Sequence, residues 1–181
     1  FPYTTLFRSV AFAATSSFSS VLQTGMSEVQ TNKTIEMSLY DVYQDILDES
    51  NDNLLKKTES INKEYNDGAT LSSLASKYNV IEVNIIDETG FIVDSNNSEY
   101  IGYDMTSGEQ SNEFVTALLK NKEPEYIQDY RPTSYDDVTF RKYGAVALPD
   151  GGFIQVGYDS TQFRADIDKY VKTVSKNRHV G

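Results

Sequence analysis

"VNIIDETGFIVDSNNSEYIGYDM" (Val83–Met105) is the stretch whose reading decides the fold. Together with the preceding Val80–Glu82 it alternates apolar and polar residues up to an apolar Ile85-Ile86 pair, as a half-buried strand does. Glu88-Thr89-Gly90 then turns the chain and Phe91–Ser95 returns, so the segment reads as a β-hairpin. Asn96–Gly108, rich in Asn, Ser, Gly and Tyr, reads as a loop leading into an amphipathic helix over about Glu109–Lys120, with Phe114, Val115, Leu118 and Leu119 as its core face.

Beyond that helix, three further segments have strand character: "EYIQDYR" (Glu125–Arg131), "DVTFRKYGAVAL" (Asp137–Leu148) and "GFIQVGYD" (Gly152–Asp159). The last two are separated by Pro149-Asp150-Gly151-Gly152, whose Asp-Gly pair is a hairpin turn signal. Ser160 then stands where a helix cap belongs, ahead of a stripe made by Phe163, Ile167, Tyr170, Val171 and Val174.

Upstream of the hairpin, "ATLSSLASKY" (Ala69–Tyr78) is a short helix. Met26–Asn66 contains neither Gly nor Pro, and Ile35, Leu39, Val42 and Ile46 recur at helical spacing. A second stripe, Leu54, Thr58, Ile61 and Tyr65, is offset from the first, which excludes a strict heptad coiled coil. A helix over about 28–66 would be roughly 60 Å long at 1.5 Å per residue, so part of it is expected to extend beyond a small domain. The order of elements predicts an α+β domain: a five-stranded antiparallel sheet, a long N-terminal helix and a C-terminal exit helix.

At 181 residues the chain has room for one ordinary domain plus an extended element. Its net charge of −11 argues against a nucleic-acid partner, which requires a basic surface to displace counterions. With no cysteine, disulfides, thiolate metal sites and thiol catalysis are excluded. Val10–Ala14 is apolar and is followed by hydroxyl residues, so residues 10–25 read either as a frayed helix start or as the outer remnant of a transmembrane helix; the apolar run is far short of the roughly 20 residues that span a bilayer. Phe1–Ser9, "FPYTTLFRS", shows no stripe continuous with it. TTT CCC TAC ACG ACG CTC TTC CGA TCT translates to that nonapeptide and resembles a widely used sequencing-library adapter, so residues 1–9 are set aside from fold reasoning as an artefact.

In Asp87–Ser95, "D-x-x-G-x-I-x-x-S" followed by a loop with Ile101-Gly102 resembles the first hairpin of the extracellular Cache sensor domains, which are PAS-like. "LPDGGFIQVGYDSTQF" (Leu148–Phe163) resembles the last two strands of that fold, and the resemblance covers about residues 26–178. "NRHVG" (Asn177–Gly181) resembles the approach to a second Cache module. The resemblance implies residues 26–67 as the long helix, 68–160 as the sensor subdomain, and 161–181 as an exit helix and the start of a truncated second module. It also implies an extracytoplasmic, membrane-anchored receptor fragment that binds a small molecule without a cofactor. "SLYDVYQDILDES" with "ALPDGGFIQVGYD" further resembles sensor regions attached to sporulation-type PPM serine/threonine phosphatases. The long helix is the expected dimer contact, and the missing transmembrane helix the expected link to the membrane.

In that family the ligand lies between the concave sheet face and the loop-helix segment. This makes Tyr100, Tyr103, Tyr126, Tyr130, Arg131, Arg141, Tyr143 and Asp159 the candidates for contact. Arginine and aspartate pair the two ends of an amino acid, and tyrosines wall a pocket while offering a hydroxyl. Asp159 matches the ammonium-binding aspartate of amino-acid-binding Cache domains, but the accompanying Arg-x-Trp-Tyr segment is absent because the chain has no tryptophan. Asp159 equally suits a helix cap, and Arg131 and Arg141 equally suit cross-strand pairing on a wet face.

Motifs for other chemistry are weaker. His179 is the single histidine and has no partner near it in sequence. "SINK" (Ser60–Lys63) lies on a polar helix without the companion motifs of acyl enzymes. Asp48, Ser50 and Asp52 are spaced like a calcium loop, but Asn53 stands where that loop needs glycine. Three classes therefore compete: a ligand-sensing module, a structural or dimerisation module with an empty sheet face, and a secreted hydrolase using a carboxylate pair such as Asp104 with Asp159.

Overall fold

The computed structural model describes residues 39–135 and 138–178. The expectations for residues 1–25, for 28–38 of the long helix and for His179 lie outside them. The described chain divides into a unit spanning Leu47–Asp168 and a second unit to which residues 39–46 and 169–178 belong; the first carries the sheet.

Helix α1 (Leu39–Asn66) displays the second of the two expected stripes. Ser50, Leu54, Thr58 and Ile61 are fully buried, and Thr58 Oγ1 satisfies itself on the Leu54 carbonyl at 2.8 Å. Full burial of an aliphatic side chain such as Leu54 or Ile61 contributes roughly 1.5–3 kcal/mol. The helix stops in a paired-carbonyl motif, Gly68 N donating to Tyr65 O at 2.9 Å and Ala69 N to Glu64 O at 3.0 Å. Helix α2 (Leu71–Tyr78) follows, capped by Thr70, whose side chain accepts from Ser73 N, and ended by Asn79 in the left-handed region. Among the described residues no helix is long and apolar enough to cross a membrane.

Six strands form the sheet among the described residues: β1 (Glu82–Ile86), β2 (Ile92–Ser95), β3 (Glu125–Ile127), β4 (Arg131–Pro132), β5 (Phe140–Ala147) and β6 (Phe153–Tyr158). Their order is β2-β1-β6-β5-β3, antiparallel throughout, with β4 also pairing with β5. The fold is therefore α+β with an antiparallel sheet, as expected, though with six strands in place of five. The expected single strand Glu125–Arg131 is instead two. The partner register slips by one residue between Ile127↔Gly144 and Arg131↔Arg141, so one extra residue is accommodated on the β3–β4 side, as in a β-bulge. Tyr130, at that irregularity, packs its ring against Phe140 and Phe163 at 5.8 and 5.7 Å.

Both faces of the sheet are covered. Val83, Ile85, Ile154, Val156 and Tyr158 pack with Leu54, Ile61, Leu71, Leu74 and Phe163, the last from helix α4 (Ser160–Arg178). On the opposite face Ile86, Ala145 and Phe153 pack with Met105, Phe114, Val115 and Leu118. These last three belong to helix α3, which runs as an α-helix over Glu109–Phe114 and continues as π-helical turns over Val115–Lys120. The irregular turns bury Ala117 in place of Leu119, which is only partly buried. Asp159, rather than the expected Ser160, caps α4: Gln162 N donates to Asp159 Oδ1 at 2.9 Å, and Asp159 N donates to Gln162 Oε1 at 3.2 Å. This reciprocal pair is a capping box, and it fixes the frame of the helix one residue earlier than the serine predicted.

Gly157 is required by a close approach. A Cβ there would stand 2.7 Å from Tyr143 Cε1 and 3.3 Å from Glu82 Cβ, and both neighbours are buried, at 2% exposure each. Gly157→Ala is therefore expected to destabilise the protein by about 1–3 kcal/mol, read as a lower urea midpoint at unchanged slope.

Candidate functional site

The strand alternation that makes β1 also builds a polar site. Glu82, Asn84 and Ile86 share one face, opposite Gly157, Gln155 and Phe153 of β6. Ile86 and Phe153 enter the apolar cluster, whereas Glu82, Asn84 and Gln155 form a polar half-face from which water is excluded.

Glu82 is its centre. Asn84 Nδ2 donates to Glu82 Oε1 at 2.7 Å and to Gln155 Oε1 at 3.2 Å, and Ser95 Oγ donates to Asn84 Oδ1 at 2.7 Å. Tyr143 Oη, reaching across β6 over Gly157, donates to Glu82 Oε2 at 2.9 Å. Tyr135 Oη donates to Glu82 Oε1 at 3.3 Å. Arg141 Nε stands 3.7 Å from Glu82 Oε2, buried and without a hydrogen-bond partner. Burial pushes the Glu82 carboxyl above its ordinary range, against the pull of Asn84, Tyr143, Arg141 and Tyr135. Burial, followed by the Glu82 charge, likewise raises the hydroxyls of Tyr143 and Tyr135.

Tyr100 and Tyr103 complete the walls. The Tyr135 ring stacks on Tyr100 with centroids 4.4 Å apart and planes 3° from parallel, and meets Tyr103 edge-on at 4.9 Å. Of the sequence candidates, Tyr103, Arg141 and Tyr143, together with Tyr100, thus come together around Glu82.

The others are placed elsewhere. Arg131 is held by Glu113 of α3 through two hydrogen bonds, Nη1 to Oε2 at 3.1 Å and Nη2 to Oε1 at 2.7 Å. Tyr126 Oη and Gln128 Nε2 donate to the same Oε2 at 3.1 and 2.6 Å. Burial works to raise the Glu113 carboxyl, but the bonds from Arg131, Gln128 and Tyr126 outweigh it and hold it below its ordinary value. Arg131 is the register partner of Arg141, yet its charge is answered from the helix and not across the strands. Glu113 and Tyr126 also line an open hollow of about 440 Å³ beside α3, together with Glu109 and Glu123. Tyr130 is on the opposite sheet face with Phe163, and the Asp159 side chain is engaged in capping.

A carboxylate pair of Asp104 with Asp159 is not assembled. Asp104 bridges to Phe91, adjoining the Ile86–Phe153 end of the sheet, and accepts from Thr106; Asp159 follows Tyr158 at the other end. The six residues of β6 between these ends span about 20 Å at roughly 3.3 Å per residue. The calcium-like Asp48, Ser50 and Asp52 lie within α1, where Ser50 Oγ donates to Asp166 Oδ2 at 2.8 Å. Ser60 of the "SINK" segment donates to its own helix at Lys56 O, 2.9 Å. Among the described residues no three His, Cys, Asp or Glu side chains converge as a metal would require.

Glu82 and Tyr135, the centre and the cover of the site, were not among the sequence candidates. Glu82 was legible in principle, since Glu82, Asn84 and Ile86 share one phase of β1 and two of the three are polar. Tyr135 had no comparable signal. Because the folded protein holds a proton on Glu82 more tightly than the unfolded chain does, the contribution of Glu82 to stability is largest below its ordinary value of 4.5 and falls as the pH rises from there through the raised folded value. Glu82→Gln removes this titration. The stability of wild type relative to the variant, from denaturant titrations between pH 4 and 8, is expected to decline steadily with pH; a constant difference would refute it.

No family model matches the chain, and no curated protein matches it. Among solved structures it is similar to an extracellular ligand binding receptor from Desulfohalobium retbaense DSM5692, at 17% identity and a TM-score of 0.42 over 67% of this chain and 24% of that one. It is also similar to the sensor domain of the V. cholerae histidine kinase DctB, at 15% identity and a TM-score of 0.43 over 92% and 61% of the two chains. A third is the Bacillus subtilis YkuI protein, which has an EAL domain and was solved with c-di-GMP and calcium, at 10% identity and a TM-score of 0.44 over 60% and 31%. The chain thus spans 24%, 61% and 31% of the lengths of these three proteins, and likeness at this level assigns no role to any of its residues.

Proposed function

We propose that this chain is the ligand-sensing part of an extracytoplasmic receptor, taking a small molecule at the Glu82 face. The observation that carries the reading is the buried carboxylate with Arg141 Nε unpartnered beside it. Removing a carboxylate from water costs several kcal/mol, and apolar residues of similar volume generally hold a sheet together at least as well. A half-face of Glu, Asn, Gln, Tyr and Arg is therefore poor economy for stability alone and suits recognition of a polar ligand. On this reading α1 carries the dimer contact and leads to a membrane anchor. The ligand's displacement of the covering loop would pass along α1 to a cytoplasmic output, for which a sporulation-type PPM serine/threonine phosphatase is our candidate.

A specific observation favours a second reading, a structural or dimerisation module: Tyr135 fills the face, and neither open hollow beside α3 or α4 includes Glu82 in its lining. A thermal-shift screen of the full chain against amino acids, carboxylates, amines and nucleobases separates the two. Sensing predicts a stabilising compound whose effect is lost in Arg141→Ala and Tyr103→Ala but kept in Asp159→Ala, in which only the helix cap is removed. No shift across the panel favours the structural module.

A further inference from the structure

Resting on that reading, we propose that Tyr135 is a resident stand-in for the ligand: the slot between Tyr100 and Tyr103 above Glu82 takes a planar aromatic ring bearing an N–H or O–H donor, and binding expels Tyr135.

The occupant is itself the template. A phenol fills the slot, its ring stacked at 4.4 Å on Tyr100 and edge-on to Tyr103, and its hydroxyl directed at Glu82. Stacked and edge-on contacts of this kind select a flat π-system over an aliphatic group of equal volume. The carboxylate selects a donor over an acceptor.

Tyr135 is also the most weakly bonded hydrogen-bond donor to that carboxylate. Its 3.3 Å contact lies beyond the usual 2.5–3.0 Å for O–H···O bonds, while Asn84 and Tyr143 hold theirs at 2.7 and 2.9 Å. Asn84 and Tyr143 belong to central strands, whereas Tyr135 belongs to the connection between β4 and β5. A ligand donor at normal distance would therefore improve on the resident group. The unpartnered Arg141 Nε supplies a second, independent indication, because an acceptor beside the ligand's donor would satisfy it. An amide-like edge on an aromatic ring meets both requirements.

Residues 133–135 of that connection are anchored beyond the slot as well. Thr133 N donates to Thr139 O at 2.8 Å, closing its neck. Ser134 joins it to the start of α3, its N–H donating to Gln110 Oε1 at 3.1 Å and its Oγ accepting from Ser111 N at 3.0 Å. Gly108 makes room for this contact, since a Cβ there would fall 2.2 Å from Ser134 Cβ and 2.8 Å from Tyr103 Oη. Expelling Tyr135 therefore loads the Ser134 contacts to α3, so that occupancy of the slot is felt outside it.

The test uses the full chain and four probes: p-cresol and benzamide, which combine ring and donor; toluene, a ring without a donor; and cyclohexanol, a donor without a ring. Tyr135→Ala removes the internal competitor and is expected to bind p-cresol and benzamide at least tenfold more tightly than wild type in NMR titrations. Toluene and cyclohexanol are expected to bind more weakly than either. In wild type, saturating benzamide should speed hydrogen exchange at the Thr133 amide. Should Tyr135→Ala not fold, Tyr135→Phe keeps the ring and drops the donor, and a smaller gain in affinity is expected from it. Equal affinities in wild type and the Tyr135 variant, or toluene binding as well as p-cresol, would overturn the proposal. A non-aromatic compound that binds wild type and variant alike overturns this inference while leaving the sensing role intact; failure of the whole panel and of these probes overturns both.

Discussion

A carboxylate buried in the second strand of a sheet must be answered from every side, and the organisation of this protein around Glu82 follows from that requirement. Asn84 answers from the same strand, Tyr143 and Arg141 from β5 across an intervening strand, and Tyr135 from a loop. Tyr143 can reach only because residue 157, on the strand it crosses, has no side chain. One hydrogen bond thus constrains composition on three strands. Close packing leaves no room to relax any of them singly.

The same sheet face is divided by chemistry along its length. At one end Ile86, Phe153, Ala145 and Phe114 form an apolar cluster that holds α3. At the other, Glu82, Asn84 and Gln155 leave no apolar surface for a helix to bury, and tyrosines from the loops cover them instead. Loops attached by ring contacts and a few hydrogen bonds open more readily than a helix attached by a core. The polar end is accordingly where local opening costs least.

The two arginines illustrate how context divides like residues. Arg131 and Arg141 are directly paired in register, but their side chains are about 31% and 18% exposed. The Arg131–Glu113 pair is partly in water and contributes on the order of 0–1 kcal/mol; its effect is to tie α3 to β4, the strand leading into the Tyr135 loop. Arg141, less hydrated and lacking a hydrogen-bond partner at Nε, is the group with most to gain from a new acceptor.

What the sequence determined by itself was local. Alternation in Val80–Asp87, the Asp-Gly turn at 150–151 and the stripe Leu54–Ile61 specified the hairpins, the sheet and the helix that covers it, because each depends on spacing within one segment. The frame was less secure where neighbouring residues offered equivalent chemistry: Asp159 displaced Ser160 as the cap because Gln162 completes a box only with the aspartate. Tertiary structure alone decided which polar residues share a site. Glu82 and Tyr135 are 53 positions apart, and a one-residue register slip separates β3 from β4. Spacing along the chain carries no record of such distant meetings; they are made by strand pairing and by the space a single glycine leaves open.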